Sequence, residues 1–527
     1  MDWDIVIPGD AHKLARRLAG RLGGHYVSMH EKASRVVVVL DSDPTANKKH
    51  KKEIHLDISP QNDKTIVDDL HQRDFTLNAI AAPLATVVKY LESELSVQGP
   101  AGALTLIDPC HGQADLQARR LRAVNGEVFR HDPLRMLRAI RLMMRYGLQM
   151  DGWTEALMIR DAALLPQVAA ERVHDELYAI LEPDGASERL RFLDTHGLFT
   201  VIFPEFIAAR GMRQPAPHYW DVLQHSIESV GALELVGADL SRPSPIYRPV
   251  MPGDAHSRIA YAPSIIAPQG GEGIPHTPIN GATGTIAAAN NTIPNGSVSG
   301  DVTEIRTLLY EAQQQGIFSF AALTAPRMKL AALLHDIGKP LAYSRDEEGE
   351  IHFYNHPQAG VPVVEQVMRR LCASAQDRRL AQLVAAHHMR PGQLAQGGPL
   401  TPRAIRRYFV DLGPTGIYVA LLSLADHLAT LGPQPATGSW ERHLGVVRLL
   451  LTRYIRQRDS ILPPQLISPE ELMRRLKLPP GPVIGQLLDL ISEAQAEGAI
   501  HSREEAVWFA GEKLNQLRPY PETSGSS

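Results

Sequence analysis

The sequence predicts an α+β protein in which a small mixed α/β unit is followed by a long, mostly helical body. Residues 1–126 alternate short apolar strands with helical segments, whereas apolar residues from Asp132 to about Tyr454 recur mostly at helical spacing. The stretch 232–318 is rich in Pro, Gly, Ser, Asn and Ala, which predicts a disordered or loosely packed insertion. At 527 residues the chain is too long for a single core, so several domains are expected.

Composition narrows the class of protein. A hydrophobic content of 44% and a charged content of 21% are typical of a soluble globular protein. Neither a run of about eighteen apolar residues nor the start of a secretory signal occurs, so no membrane span and no export are predicted. The two cysteines, Cys110 and Cys372, could form at most one disulfide, which is too few to stabilise a chain of this length. This low cysteine count favours the reducing cytoplasm.

The charge pattern limits how this chain can hold nucleic acid. Its formal net charge of -4 argues against a general basic coat, so an RNA partner would have to be held by local patches. Such patches occur in residues 48–52, 119–122, 135–145 and 403–407. Each patch taken singly is typical of a solvated surface, and only the motifs beside the patches favour RNA.

The N-terminal unit can be divided into predicted elements. Residues 5–7, 34–40 and 54–58 are apolar or alternating runs, which predict strands. Residues 12–22 have helical spacing and stop at two glycines. Further on, Asp132-Pro133 predicts a helix start, with Asp as the N-cap and Pro at the first helical position.

Acidic residues on two predicted strands indicate phosphoryl transfer. Transfer between a nucleoside triphosphate and a hydroxyl needs carboxylates that hold Mg²⁺ at the attacking and leaving oxygens. Asp2 and Asp4 are two residues apart on one strand, so their side chains point the same way. Asp57 is the candidate for a third carboxylate on a neighbouring strand. We therefore predict Asp2, Asp4 and Asp57 as catalytic, with Asp2 and Asp4 as Mg²⁺ ligands.

Longer motifs follow these carboxylates in a fixed order. They are Arg73-Asp74-Phe75-Thr76-Leu77-Asn78-Ala79, Leu106-Ile107-Asp108-Pro109, Gly112-Gln113-Ala114-Asp115-Leu116 and His131-Asp132-Pro133-Leu134-Arg135-Met136-Leu137-Arg138-Ala139-Ile140-Arg141. In this order and spacing they resemble the RD-F-T-x-N-A, D-P-x-x-G-x-x-D-L and E-D-P-x-R-x-x-R-A-x-R motifs of the superfamily of CCA-adding enzymes and bacterial poly(A) polymerases. The arginines of the last motif share one helical face, where guanidiniums can clamp a triphosphate.

The resemblance implies a tRNA nucleotidyltransferase that uses CTP and ATP with Mg²⁺ to add CCA, or part of it, to tRNA 3′ ends. In the family, an Asp and an Arg of the last motif read the Watson–Crick edge of the incoming base, and these roles fall on Asp132 and Arg135. His131 stands where the family has Glu. The whole predicted nucleotide-binding set is Arg35, Arg73, Asp74, Asn78, Asp132, Arg135 and Arg138.

The same resemblance implies an order of domains. Residues 1–126 would be the nucleotidyltransferase head, without the family's first motif, a Gly-rich segment that grips the triphosphate. The remaining expectations are a neck and RNA-binding helical body at 127–210, an HD domain at 211–455 with the insertion at about 232–318, a tRNA-binding helical unit at 461–515 and a flexible tail at 516–527.

A second set of metal-ligating residues lies in the C-terminal half. His225, His335-Asp336, His356, His387-His388 and Asp426 have the order seen in HD phosphohydrolases. Imidazole and carboxylate donors suit Mn, Ni, Fe or Mg. His225, His335, Asp336 and Asp426 are predicted to form one metal site. The resemblance to HD proteins with two metals adds His356 and His387, with Asp336 as the bridge.

Three functions stay open at this level. The first is nucleotide addition to tRNA, with an HD phosphohydrolase activity beside it. The second is a truncated, inactive head with the HD domain acting on nucleotides or phosphate esters. The third is a non-catalytic RNA-binding protein, which the retention of both sets of ligands disfavours. The motifs are shared by enzymes that produce CCA, CC, A or poly(A), so they do not separate these products.

Overall fold

The computed structural model describes residues 2–29, 34–40, 52–61, 65–95, 104–241, 302–397, 400–433 and 438–517. The chain divides into two compact units, Met1–Gln167 and Val168–Ser527. The four-stranded sheet belongs to the first unit and helices dominate the second, so the predicted α+β class is confirmed.

A four-stranded sheet of order β1-β4-β3-β2 begins the first unit. Its strands are β1 (Asp2–Ile7), β2 (His25–Ser28), β3 (Ser34–Leu40) and β4 (Lys52–Pro60). β1 and β4 are parallel, and the other neighbours are antiparallel. The three predicted strands are present, while the mostly exposed β2 was not predicted because it has no apolar pattern.

Helix α1 (Ala11–Leu22) packs on this sheet through small residues. Its buried alanines, Ala11, Ala15 and Ala19, share a core with Val36 and Ile58. The helix begins at Asp10, whose carboxylate accepts the Lys13 N–H at 3.0 Å. It ends at Gly23, which has a φ of +63° that glycine adopts without strain.

The rest of the first unit consists of short helices and a two-stranded ribbon. The helices are α2 (Ile66–His71), α3 (Leu84–Leu95), α4 (Gly112–Gln117), α5 (Val128–His131), α6 (Arg135–Tyr146) and α7 (Gly152–Asp161), and the ribbon is β5 (Arg120–Leu121) with β6 (Gln149–Met150). The helix predicted to start at Asp132-Pro133 begins later, at Arg135, and its N-cap is Leu134. The Asp132 carboxylate accepts the Leu134 N–H at 3.2 Å and so forms a turn before the helix.

The second unit is almost entirely helical. Its helices are α8 (Ala170–Leu181), α9 (Ala186–Thr195), α10 (Phe199–Ile202), α11 (Val222–Ser241), α12 (Thr303–Gln314), α13 (Phe320–Leu323), α14 (Pro326–Leu334), α15 (His356–Arg370), α16 (Ala375–His387), α17 (Met389–Gln396), α18 (Pro402–Leu412), α19 (Thr415–Leu431), α20 (Gly438–Arg456), α21 (Arg458–Ile461), α22 (Pro469–Leu476), α23 (Pro482–Ala496) and α24 (Arg503–Leu517). A small hairpin, β7 (Tyr343–Arg345) with β8 (Ile351–Phe353), lies between α14 and α15.

A buried lysine joins three helices of the second unit. Lys329 on α14 is fully buried, and its Nζ donates to the carbonyl oxygens of Leu181 and Pro183 at the end of α8. Its charge is balanced by Glu234 on α11 at 2.7 Å. Because an unpaired buried charge is costly, this ion pair fixes α14 and α11 relative to the end of α8.

The predicted insertion starts later than expected. Residues 232–241 continue α11, and Leu233, Val236 and Leu240 are buried there, so the prediction of loose packing from 232 was wrong. Leu233, Val236 and Leu240 are at i, i+3 and i+7, so the apolar period of α11 continues through this stretch. On the far side, the predicted helix Thr303–Gln314 is confirmed as α12. Residues 242–301 lie outside the described part of the chain.

The C-terminal helices α22, α23 and α24 share one core around Leu472, Leu487 and Ile491. This unit is attached to α18 by Arg406, which donates to Ser492 Oγ at 2.6 Å, and by Arg403, which pairs with Glu493 at 2.5 Å.

Some predictions fall on residues that are not described. These are residues 48–51 of the first basic patch and residues 518–527 of the tail, whereas residues 516 and 517 belong to α24. No single helix in the described ranges has the length and apolar composition of a membrane crossing. Only α18 and α19 taken together reach it, and they are bent by 107°.

Candidate functional sites

The sheet of the first unit brings two of the predicted catalytic carboxylates side by side. In the parallel pairing of β1 with β4, Asp4 stands opposite Asp57, and Asp2 stands opposite His55. Residues directly opposite in adjacent strands direct their side chains to the same face. Asp4 is exposed and Asp57 is partly buried. The side chain of Asp2 lies outside the described part of the structure.

Arg35 lies on the same face of the sheet, because β3 pairs it with Asp57. Its guanidinium donates to both carboxylate oxygens of Asp57, from Nε at 2.6 Å and from Nη2 at 2.8 Å. Such a two-point contact fixes the orientation of the carboxylate. The structure therefore brings Arg35 to the predicted catalytic carboxylate rather than to the other predicted nucleotide-binding residues.

A second group in this unit centres on the buried Asp74. Its Oδ1 accepts from Asn78 Nδ2 at 3.0 Å and from the Phe75 N–H at 2.8 Å, and its Oδ2 pairs with Arg138 Nε at 2.8 Å. Three of the predicted nucleotide-binding residues thus form one network. Arg73 instead pairs with the buried Asp69 at 2.6 Å.

Arg135 on α6 is half-buried and has one guanidinium nitrogen without a hydrogen-bond partner among the described residues. Its Nη2 donates to the Gln72 carbonyl at 3.2 Å, while its Nη1 is buried with no hydrogen-bond partner among the described residues. Burial lowers the pKa of Arg135, and the nearby carboxylates of Asp74 and Asp132 act in the opposite direction. A buried guanidinium nitrogen without a partner is available for a ligand.

Gly112 and Asp115, from the motif of residues 112–116, pack against the turn that carries Asp74 and Asn78. Asp115 is buried and accepts from Thr76 Oγ1 at 2.7 Å and from Arg122 Nε at 2.8 Å. Gly112, at the start of α4, is needed for close packing, because a Cβ there would lie 2.0 Å from the Thr76 carbonyl oxygen. These contacts fix the turn that carries Asp74 and Asn78.

The second unit contains two adjoining groups of metal-ligating side chains. The first consists of His225 on α11, His335 and Asp336 after α14, and Asp426 on α19. His225 Nε2 lies 2.9 Å from Asp426 Oδ1 and 3.3 Å from Asp336 Oδ2, and His335 Nε2 lies 3.2 Å from Asp336 Oδ2. All four predicted members of the first site are therefore together.

The second group shares Asp336 and uses its other oxygen. His356 Nε2 lies 3.2 Å and His388 Nε2 3.3 Å from Asp336 Oδ1. The two oxygens of Asp336 thus face different groups of histidines, which is the arrangement of a bridging carboxylate.

The prediction of His387 in this group was wrong, and its neighbour His388 takes the place. Helix α16 ends at His387, and His388 lies at the bend before α17, where its ring is fully buried. Adjacent residues of a helix point about 100° apart, so only one of the two histidines can face Asp336. His387 lies instead beside Arg390, and burial lowers its pKa.

The donor atoms of both groups fit divalent metal ions. His335, His356 and His388 each contact a backbone carbonyl through Nδ1, at 2.6, 2.8 and 2.9 Å, which leaves Nε2 as the ligand atom. The buried Nε2 atoms of His225 and His335 and Oδ1 of Asp336 have no hydrogen-bond partner within the described ranges. Ligand atoms bound to one ion at about 2.1 Å lie roughly 3 Å apart, as the donors do here.

Two further residues that the sequence analysis missed complete the centre. Lys339 is buried, and its Nζ lies 2.5 Å from Asp336 Oδ2 and 2.6 Å from Gln214 Oε1. It follows Asp336 by three residues, which is a spacing that could have revealed it. His218 stands next to His225, and burial together with the charge of Lys339 lowers the pKa of His218 to about 4.

The electrostatics of the buried centre keep its carboxylates ionised. Burial would raise the pKa of Asp336, but His335 and Lys339 hold it well below its usual range. Burial would likewise lower the pKa of His335, but Asp336 and Asp426 raise it to about 10. The charge of the two carboxylates is therefore balanced by Lys339 and a protonated His335, and a metal ion bound here would displace the proton of His335.

A glycine sets the distance between the two groups. A Cβ on Gly338 would lie 2.2 Å from the His356 carbonyl oxygen and 2.5 Å from the Gly360 nitrogen. The backbone after Asp336 is therefore in direct contact with the first turn of α15, and this contact carries His356 to Asp336.

Comparison with known proteins finds family matches in both halves of the chain. The chain matches the family described as "Poly A polymerase head domain" over residues 1–122, "Probable RNA and SrmB- binding site of polymerase A" over 138–210, and "HD domain" over 319–431. The A-adding tRNA nucleotidyltransferase of Deinococcus radiodurans is 28% identical over 451 residues, which are 84% of this chain and 78% of the relative.

A CC-adding tRNA nucleotidyltransferase of Geobacter sulfurreducens is 25% identical over 513 residues, which are 97% of this chain and 87% of the relative. A solved structure of a CCA-adding enzyme with ATP has the same fold, with a TM-score of 0.51, 16% identity, and coverage of 99% of this chain and 87% of that one. Together, the matches and the two donor sets define a nucleotidyltransferase of the polymerase type joined to an HD domain. The matches over residues 1–122, 138–210 and 319–431 and these relatives support the superfamily of CCA-adding enzymes and bacterial poly(A) polymerases, with an HD domain.

Proposed function

We propose that the first unit transfers nucleotides from CTP or ATP to the 3′ end of tRNA and adds part of the CCA sequence. The observation that carries the proposal is the register of β1 and β4, which aligns Asp4 with Asp57 on one face of the sheet. Four relatives that align with most of the chain are named for partial addition, one for A and three for CC, which supports a partial product here.

The carboxylates and arginines have separate roles in this proposal. Asp2, Asp4 and Asp57 are the catalytic carboxylates, and Mg²⁺ held there would stabilise the charge that develops on the transferred phosphate. The tRNA 3′-hydroxyl attacks the α-phosphate in line, a new phosphodiester forms, and pyrophosphate leaves. Arg35 keeps Asp57 in the required orientation through its two hydrogen bonds.

The Asp74 group is proposed to hold the incoming nucleotide. Arg138 and Arg73 contribute positive charge for the triphosphate, and Asn78 and Asp74 fix Arg138 in place. Asp132 and Arg135 are proposed to contact the base edge. The buried Nη1 of Arg135 supports this role, because it has no hydrogen-bond partner among the described residues and a base carbonyl or ring nitrogen would supply one.

The experiment uses two tRNAs, one without CCA and one without only the terminal A, each with labelled CTP or ATP and Mg²⁺. Incorporation of one nucleotide type on one of the two tRNAs identifies the partial product. Arg135→Ala should reduce incorporation through weaker nucleotide binding, whereas Arg442→Ala, an exposed arginine on α20, is the matched control. Absence of incorporation on both tRNAs, with a known CCA-adding enzyme active on the same samples, contradicts the proposal.

A second activity is favoured by the buried centre of the second unit. We propose that the HD domain hydrolyses phosphomonoesters or 2′,3′-cyclic phosphates, such as damaged RNA ends. Mn, Ni, Fe or Mg bound there would activate the attacking water and stabilise the phosphoryl oxygens. Water adds to phosphorus, the ester P–O bond breaks, and the released alcohol oxygen takes a proton. His225, His335, Asp336, His356, His388 and Asp426 are the proposed ligands.

Hydrolysis is tested separately from nucleotide addition. Purified protein loaded with each of the four metals is assayed with 2′,3′-cyclic nucleotides and with nucleoside monophosphates, beside the Asp336→Asn variant. The proposal predicts metal-dependent hydrolysis that Asp336→Asn abolishes. Equal rates in the two proteins overturn the hydrolase, and loss of both activities in every assay would leave only RNA binding.

A further inference from the structure

Helix α1 of the head carries a row of basic side chains on its solvent-facing side. Lys13, Arg17 and Arg21 follow one another along α1, and all three are exposed. Because residues four apart lie on the same side of a helix, these three form a single row, which we call the basic row. Its members are about 6 Å apart along the helix axis. No acidic residue occurs between Ala11 and Leu22, although the whole chain has a net charge of -4.

The fold does not neutralise the basic row. Within the described ranges, no ion pair and no side-chain hydrogen bond involves any of its three members. Other arginines of the same unit have acidic partners: Arg122 pairs with Asp115 and Arg138 with Asp74, each at 2.8 Å. A line of exposed basic side chains along one helix is the electrostatic pattern that nucleic-acid-binding surfaces show.

The basic row lies on the opposite side of the sheet from the proposed catalytic carboxylates. Helix α1 packs on the sheet through its alanines, which contact Val36 and Ile58. Neighbouring residues of a strand point to opposite faces, so Arg35 and Asp57 point away from α1. An anion bound by the basic row is therefore a different group from the triphosphate that reacts at Asp57.

Arg16 adds a further exposed charge beside the basic row. Its guanidinium lies over the Tyr26 ring, 5.2 Å from the centroid, and His12 Nδ1 lies 3.0 Å from the Tyr26 hydroxyl. The ring therefore supports Arg16 without cancelling its charge.

The exposed positions of α1 favour a phosphate backbone over a protein partner. Between Lys13 and Arg21 these positions are Arg16, Arg17 and Gly20, so no fully exposed apolar side chain lies among the charges. Protein interfaces usually have an apolar or aromatic centre, whereas contacts to the phosphates of nucleic acid are made by charge alone.

We propose that α1 binds the phosphate backbone of RNA, away from the reacting 3′ end, through Lys13, Arg16, Arg17 and Arg21. The proposal rests on the proposed nucleotide addition for the identity of the partner. The body of the reacting tRNA and a second RNA molecule share this chemistry, and the experiment separates the two sources.

The test measures binding of fluorescent tRNA to the full-length protein at several salt concentrations. The row variant combines Lys13→Gln, Arg17→Gln and Arg21→Gln, and α1 should stay folded because glutamine is a good helix former. We expect tRNA to bind on the order of tenfold more weakly at moderate salt. The slope of log affinity against log salt should become shallower by about 2, because three phosphate contacts are lost. The affinity for ATP should stay that of the wild type.

Two further variants separate position from total charge. Exchange of arginine and lysine at the three positions of the basic row keeps every charge and should bind tRNA like the wild type. The matched control combines Arg442→Gln, Arg448→Gln and Arg456→Gln on α20, two of which already pair with glutamates. It removes the same number of charges and should change the salt slope little.

A short RNA hairpin with only the acceptor end identifies the source of the RNA. If the row variant binds the hairpin normally but full-length tRNA weakly, the ligand is the body of the reacting tRNA. If both bind equally weakly, α1 accepts the backbone of any RNA, including a second molecule. Both results support the proposal.

Three results overturn the proposal. The first is tRNA binding by the row variant that equals the wild type at every salt concentration, and the second is an equal loss in the α20 control. The third is loss of polyglutamate binding in the row variant with normal tRNA binding, which would assign α1 to an acidic protein. Failure of the proposed function is seen differently, as absence of nucleotide incorporation in a protein whose tRNA binding still depends on the basic row.

Discussion

The two proposed catalytic sites differ in how much of each is built by the protein alone. In the head, Asp4 is exposed and Asp57 has one fixed partner, Arg35. In the HD domain, three buried histidines are each anchored through Nδ1 to a backbone carbonyl around a shared carboxylate. The donor atoms of the HD domain are therefore held in place by the protein itself, whereas in the head only Asp57 is held by a described side chain. Substitutions should therefore reduce turnover in the head, but both metal content and stability in the HD domain.

The largest expected effect is that of Asp336→Asn. Because Asp336 contacts both groups of histidines, we expect loss of bound metal from both and a fall in hydrolysis on the order of a thousandfold. Metal analysis of the purified protein and the esterase assay measure these changes, while nucleotide addition to tRNA should stay at the wild-type rate.

The pair His388→Ala and His387→Ala sharpens the assignment within this centre. The first should remove one of the two metals, and the second should keep both, because His387 points away from Asp336. Equal metal content in these two variants would contradict the position assigned to His388.

Asp57→Asn should affect only the head. We expect nucleotide incorporation to fall about a hundredfold, because a carboxylate proposed to hold Mg²⁺ loses its charge. Single-turnover incorporation with tRNA measures this, and Glu53→Gln on the same strand is the matched carboxylate control. Hydrolysis by the HD domain should be unchanged, and normal incorporation by Asp57→Asn would remove it from the catalytic set.

Acid should destabilise the second unit through His443, which is buried and hydrogen-bonded to Ser423. Burial lowers the pKa of His443 from 6.5 to about 4 in the folded state. Its contribution to the free energy of unfolding is therefore fully present above pH 6.5 and is lost as the pH falls through 4. The loss is roughly 3 kcal/mol over this range.

The loss of stability in acid is measured as a faster amide hydrogen exchange in α20 at low pH, with β3 and β4 of the head as the reference. In His443→Gln, the exchange rate of α20 should depend less on pH. In His25→Gln, which changes an exposed histidine of the head, the pH dependence of this rate should be that of the wild type. A pH dependence of α20 that is the same in both variants would rule out His443 as its origin.

The smallest expected effect is that of Arg35→Lys. A lysine keeps the charge but cannot make the two parallel hydrogen bonds to Asp57, so incorporation should fall about threefold to tenfold. The change should be in the rate rather than in the apparent affinity for ATP or CTP, because Arg35 contacts the carboxylate. A changed affinity at a constant rate would assign Arg35 to nucleotide binding, as the sequence analysis predicted.

Sequence patterns predicted the elements whose side-chain periods specify them locally, and missed features that depend on tertiary packing. The strand 34–40 and the helix 303–314 have side-chain periods that specify them, and both were predicted with the observed bounds. The exposed strand β2 has no such period and was missed. The start of α6 was misplaced because Asp132 caps a turn rather than the helix itself.

The HD centre shows the same limit at the level of single residues. The order of His and Asp residues along the chain identified His225, His335, Asp336 and Asp426, because histidine and aspartate are rare in apolar surroundings. It could not choose between His387 and His388, since that choice depends on the bend between α16 and α17. The contact of Lys339 with Asp336 was also missed, although their spacing of three residues could have indicated it.

The contact at Gly338 has a consequence for how many metals the protein can hold. The residue has no donor atom, yet its missing side chain allows the first turn of α15 to lie against the backbone that follows Asp336. The methyl group of an alanine there would clash with the His356 carbonyl oxygen and move His356 away from Asp336. His225, His335 and Asp426 would stay in place, because other helices hold them. The second group of donors would then lose His356, so the missing methyl group at Gly338 is what allows both groups to reach Asp336.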